Sequence, residues 1–155
     1  MDYAELFERQ GRAMDDLLMH AFRLPQEKFA APGADGAPSL RGLLVEWLET
    51  QRRAVHETLQ GHAYTPLPEA ATSSVVSLCQ AFGGFRLTLR DALEATFKED
   101  LERKVPWTSA DGSARDVTVD EVLAHLVFHG ARMMGLVAAR LRQLGESPPA
   151  TDLLG

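Results

Sequence analysis

Two histidines stand four residues apart, His125 and His129, and Met133 follows four residues later. Imidazole is a general acid or base near neutral pH and a common metal ligand. Thioether sulfur is soft and suits Cu(I) rather than Zn²⁺ or Ni²⁺. On a helix each residue turns about 100°, so with His125 at zero His129 lies near 40° and Met133 near 80°. Val119, Leu126, Gly130, Val137 and Leu144 cluster around 100–140° on that scale. Met133 therefore falls inside an apolar stripe, His129 at its edge and His125 further out. The other chemistry-bearing side chains are isolated. His20, His56 and His62 have no partner at metal spacing and read as solvated surface. Cys79 falls among apolar residues of a helical pattern, with no His or Arg beside it, and reads as a buried, inert thiol. Gly83-Gly84 has neither the spacing nor the lysine of a phosphate loop, and no Gly-x-Ser-x-Gly elbow is present. Core packing is the default for Trp47 and Trp107.

These residues need elements to hold them, and the hydrophobic spacing predicts four long helices. Tyr3, Leu6, Phe7, Gln10, Met14, Leu17, Leu18 and Ala21 recur at three and four, giving a helix over 2–22 that Leu24-Pro25 ends. Residues 30–38 are rich in Gly and Pro and read as a loop. Ser39 is a good N-cap for a helix over 39–60, with Gly61 as its stop. Val75, Leu78, Cys79, Phe82, Leu89, Leu93, Phe97 and Leu101 predict a third helix over 72–103. Its Gly83-Gly84 pair costs about 1 kcal/mol per residue relative to Ala, and marks a kink, a close neighbour or a tolerated weak spot. Residues 105–118 read as a long loop around the Asp111-Gly112 turn dipeptide, with room for a small hairpin. Thr118 and Glu121 fit a capping box for a helix over 119–144 that stops at Gly145. The fold class is all-α, a four-helix bundle, in a single domain over 1–155. The connections are long enough for crossings, so up-and-down order is not required.

Composition narrows the function classes. The chain has 155 residues, 45% of them apolar and 25% charged, a balance that suits one globular core. The net charge of −6 argues against general nucleic-acid binding, which calls for a basic surplus. A single cysteine excludes an internal disulfide. No window approaches 18 uninterrupted apolar residues and the start is acidic, so neither a membrane span nor a signal peptide is expected. The expectation is a cytoplasmic protein.

The run from Asp111-Gly112 through His125-Leu-Val-Phe-His129-Gly130 and Gly135 to Leu141-Arg-Gln-Leu-Gly145, Pro148-Pro149 and Asp152-Leu153 resembles the DinB/YfiT-like superfamily. Ser39 through Trp47 followed by Gly61 looks like that family's second helix. The resemblance implies a four-helix bundle with a divalent metal held by three histidines between helices, and members that include thiol-dependent transferases and isomerases. Carried onto this chain, the three ligand positions fall on Glu46, His129 and Met133. The Arg-Gly-Gln that usually follows becomes Met134-Gly135-Leu136.

Three arrangements are open for those positions. Glu46 and His129 could bind Zn²⁺ or Ni²⁺ with water completing the shell, since a carboxylate is an acceptable zinc ligand. They could instead pair with each other, raising the imidazole pKa. Or they do not meet, and Met133 and Met134 fill core space. Two function classes follow. One is a stress-associated bundle whose metal site is degraded, with no cofactor, binding a small molecule in its groove or a partner. The other is a divalent-metal-dependent thiol transferase or hydrolase using a residual Glu46–His129 site. Val127, Met134 and Ala138 form a second apolar patch near 180–220°, from which a homodimer is expected. Neither nucleic acid nor membrane is an expected partner.

Overall fold

The computed structural model of the chain describes residues 1–96 and 98–150. The first helix, α1, spans Tyr3–Phe22. Asp2 caps it, its carboxylate accepting from the Glu5 N–H at 3.0 Å. The expected stripe is buried, including the polar Gln10, except for Leu6, which is half-buried. After Pro25 comes a short helix that periodicity misses, α2 (Gln26–Ala30). It exists to bury one side chain, Phe29, which is fully inaccessible.

The Ser39 cap is present, with Oγ accepting from the Gly42 N–H at 2.9 Å. It opens α3, Leu40–Arg53. The chain then winds on through a wider π turn, Ala54–Leu59. Gly61 takes φ +67°, the left-handed conformation that ends a helix at little cost. A long connection over 60–74 leads to α4, Val75–Glu94. A Ser74–Ser77 capping box starts it.

This helix is shorter at both ends than the expected 72–103. Glu69–Thr72 is a separate 3₁₀ turn before it, and Lys98–Glu102 another after it. The last turn tightens where the Thr96 N–H reaches the Leu93 carbonyl, three residues back rather than four. The Thr96 hydroxyl also takes the Ala92 carbonyl at 2.8 Å. Phe97, which carried the apolar pattern forward, lies outside the described residues, as do Asp152 and Leu153. Gly83 and Gly84 sit within an uninterrupted α4, and a Cβ on either would meet nothing within 4 Å. Neither is there for close approach of the chain to itself.

An all-α description needs correcting. Lys104–Thr108 (β1) and Ala114–Thr118 (β2) pair antiparallel, with Trp107 opposite Arg115. Gly112 at φ +84° makes the reversal between them. The hairpin ends directly in α5, Val119–Gln143. The Thr118 hydroxyl accepts from the Glu121 N–H at 3.1 Å, and Glu121 Oε2 accepts from the Thr118 N–H at 2.7 Å. At the other end Gly145 has φ +94°. The Glu146 and Gly145 N–H groups reach back to the carbonyls of Leu141 and Arg142, a Schellman stop.

Side-chain pairs give the helix directions. Tyr3 reaches Asp120 and Gln10 reaches Val127, so α1 and α5 run parallel. Arg41 bonds Thr72 and Trp47 meets the Phe82 ring edge-on at 5.9 Å, so α3 and α4 are also parallel. Arg86 lies near both Glu8 and Asp15, on the seam where α4 packs against α1. The core helix α5 packs against both α1 and α3. That settles the second apolar patch of α5: Val127, Met134 and Ala138 are buried within the chain itself, at 7, 0 and 1% exposure. The two partners implied by an α5 apolar on two faces are α1 and α3. Among the described residues, α5 is also the helix long and apolar enough to cross a membrane by length and composition. Its core position between two helices accounts for that composition.

Candidate functional site

The hairpin and the start of α5 bring an aromatic and two histidines together. Trp107 on β1 meets the His125 ring edge-on, centroids 5.0 Å apart. His125 in turn stacks on His129 at 6.3 Å and 27°, the consequence of i,i+4 spacing on a helix. His129 is half-buried and His125 more exposed. The Nδ1 of His129 is buried and has no hydrogen-bond partner. Burial holds the pKa of both imidazoles below the usual histidine value, and His125 and the Arg132 charge add to the effect at His129. Both rings are therefore held toward the neutral form, in which one nitrogen is free to accept or to bind a metal.

The three positions carried over by resemblance lie in different surroundings. Glu46 is exposed and Met133 is wholly buried, with His129 between these extremes. Among the described residues Glu46 makes no ion pair or hydrogen bond with His129, and the His129 shift is downward. A Glu46–His129 pair with a raised imidazole pKa is thus corrected: desolvation acts on this ring without a carboxylate to oppose it. Met133 and Met134 are both at 0% exposure and fill core space.

A family model describing the DinB family matches residues 2–155. The chain belongs to the DinB family. No curated protein matches it closely enough to count as a relative. The metal centre that DinB resemblance implies needs three donors around one point. Among the described residues of this DinB chain, no group of three His, Cys, Asp or Glu side chains is placed to hold an ion. At the family position the His125–His129 stack supplies two imidazoles, and the ring beside them is Trp107, which is no donor to a metal. The donor set does not fit a three-donor metal centre.

Other expectations sort cleanly. Cys79 is exposed rather than buried. It sits one residue after the buried Leu78, so the apolar stripe of α4 ends short of it. Its thiol pKa is nevertheless raised, by desolvation first and the Asp15 charge second, which keeps it in the unreactive protonated form. His20 is not bare surface: its Nδ1 lies 3.1 Å from Glu146 Oε2, with both side chains 17% exposed. His62 is exposed, and half-buried His56 has a lowered pKa, from burial first and then the Arg52 and His62 charges.

Sequence reasoning missed the polar atoms stranded in the interior of this DinB bundle. Trp47 Nε1 and Gln51 Nε2 are buried on the same face of α3 with no partner, and so is the Tyr64 hydroxyl. Gln51 could have been found: it continues the run Leu40, Leu44, Trp47, where spacing alone predicts burial. Trp47 and Gln51 are one turn apart on α3, and α3 packs against α5.

Proposed function

We propose that this DinB-family chain acts as a helical bundle of four long helices whose family metal position is degraded. Its role is stress-associated ligand or partner binding rather than metal-dependent catalysis. The observation that carries the reading is the divergence of Glu46, His129 and Met133 into an exposed, a half-buried and a fully buried environment. Two protein donors are too few for a tight structural zinc site, and these two face different surroundings. A small molecule would bind in a groove of the bundle between α3 and α5, which pack together. A second copy of the chain is the proposed partner. With Val127, Met134 and Ala138 taken up by the core, the α5 surface that remains for it carries Phe128 at 68% and Leu136 at 39% exposure.

One observation favours the other reading, a residual Zn²⁺ or Ni²⁺ site serving a thiol transferase or hydrolase. The buried Nδ1 of His129 lacks a partner, and such an atom calls for water, an ion or a ligand. Elemental analysis of the purified protein separates the two. Folded protein without stoichiometric zinc or nickel supports the degraded site. One equivalent of either metal, lost in His129→Ala, overturns it and supports the enzyme.

A further inference from the structure

The seam between α1 and α4 contains a cleft of about 370 Å³, and shares no helix with the α3–α5 site proposed above. That is within the range of small-molecule sites, roughly 300–1,000 Å³. Phe7 comes from α1, and Leu87, Leu89 and Leu93 from α4. Leu87 is 55% exposed, a large apolar side chain left facing solvent at the cleft. Gly83 also lines it. A Cβ there would meet nothing within 4 Å, so the chain's own packing does not require glycine. Glycine weakens a helix interior, and at this position its effect is to leave the cleft open.

The charged lining says which ligand fits. Arg86 lies 2.8 Å from Asp15 and 3.7 Å from Glu8. Arg90 lies 3.7 Å from Asp91 and 3.8 Å from Glu94. Glu8 has a second partner in Arg12 at 3.6 Å. Every charge lining the cleft thus has an opposite charge within 4 Å. A charged ligand would find no unpaired counter-charge and would lose hydration on entry. An uncharged apolar molecule gains burial against the leucines and Phe7 at no such cost. We propose that the α1–α4 cleft is a binding site for a small, uncharged, apolar molecule. At the roughly 30 Å³ that a water occupies in the liquid, the volume admits about a dozen non-hydrogen atoms.

The adjacent glycines supply the test. Gly83 lines the cleft and Gly84 does not, yet leucine at either position raises helix propensity. The probe is 1-octanol, titrated into the full chain and followed by amide chemical shifts, with octanoate and octylamine as charged comparators. Saturable shifts at Phe7, Leu89 and Leu93 are expected. Gly83→Leu should weaken 1-octanol by at least about tenfold, while Gly84→Leu stays within about twofold. Both variants should melt at or above the parent temperature, which shows that loss of binding is not loss of fold. The proposal is overturned if 1-octanol gives no saturable shift at these residues or binds Gly83→Leu as well as the parent. It is equally overturned if octanoate or octylamine binds as tightly as the alcohol.

Discussion

The side chain of Gln10 occupies the space that a Cβ on Gly130 would need. From there Gln10 donates Nε2 to the Val127 carbonyl at 2.7 Å, and the residue is 3% exposed. Gly130 therefore lets a polar group of α1 press onto the backbone of α5. In a helix interior Gly130→Ala would ordinarily gain about 1 kcal/mol. Here it displaces the buried amide and loses a hydrogen bond, at about 1–3 kcal/mol. In a Gln10→Ala background the gain should return. Urea unfolding of the double-mutant cycle should give a coupling of about 1–3 kcal/mol. Additive single effects would show that the two residues do not share this space.

Acid should weaken the fold before carboxylates titrate. His129, His125 and His56 have folded pKa values lowered, chiefly by burial. The unfolded chain therefore takes up protons more readily than the native one. The stability gained from keeping these rings neutral is complete above the unfolded value of about 6.5 and is lost as pH falls through the lower folded values. The melting temperature should drop between about pH 7 and about pH 5, and His129→Gln should flatten the drop. A melting temperature level across that window would contradict the burial of these imidazoles.

Met133 stands one turn from His129, and two histidines at that spacing on one helix face can share a metal. Glu46→His with Met133→His should create zinc or nickel binding that the parent lacks. Met133 is fully buried, so its replacement by the polar imidazole should lower stability in metal-free buffer. Added metal should recover part of the melting temperature, because binding to the native state stabilises it by mass action. A double variant that takes up no metal would mean that the two helix faces cannot be brought to one point.

Self-association would rest on Phe128 and Leu136, and sedimentation equilibrium at micromolar concentration measures it. The expected mass is about twice the 17.0 kDa of the chain. Phe128→Glu should return it to the single-chain value without lowering the melting temperature, since Phe128 is 68% exposed. A parent that sediments as a single chain would leave this face without a second copy.

Much of this architecture can be read from local chemistry. The Ser39 and Thr118 caps, the Gly145 stop and the stripe of α1 all lie where single-turn rules place them, because the hydrogen bonds involved span three to five residues. Misreadings occur where tertiary contacts decide. The apolar run through Phe97 and Leu101 extends a helix on paper. In the molecule the chain instead turns through Lys98–Glu102, and the Arg103 carbonyl accepts from the Val119 N–H at the start of α5. The short α2 has too few residues to show a period. Cys79 in a spacing pattern and Val127 on an angular scale are misread for one reason: neither device says on which sides a helix has neighbours. The same limit applies at the candidate site. Helical arithmetic puts His129 at the edge of a stripe, as found, and i,i+4 spacing puts His125 beside it, but the Trp107 ring against His125 comes from a hairpin that no helical angle foresees.

The parallel pairing of α1 with α5 joins residues 117 apart in the chain, as Tyr3–Asp120 and Gln10–Val127 do. At a synthesis rate of about 5–20 residues per second, α1 waits some 6–24 s on the ribosome before its partner exists. Through that interval the α1 stripe has α4 at most to pack on, and no α5. Such non-local closure also slows refolding relative to bundles whose neighbours are sequential. The first helix made thus completes its packing last: α4 can reach it earlier, but the side that α5 covers waits until the chain is nearly finished.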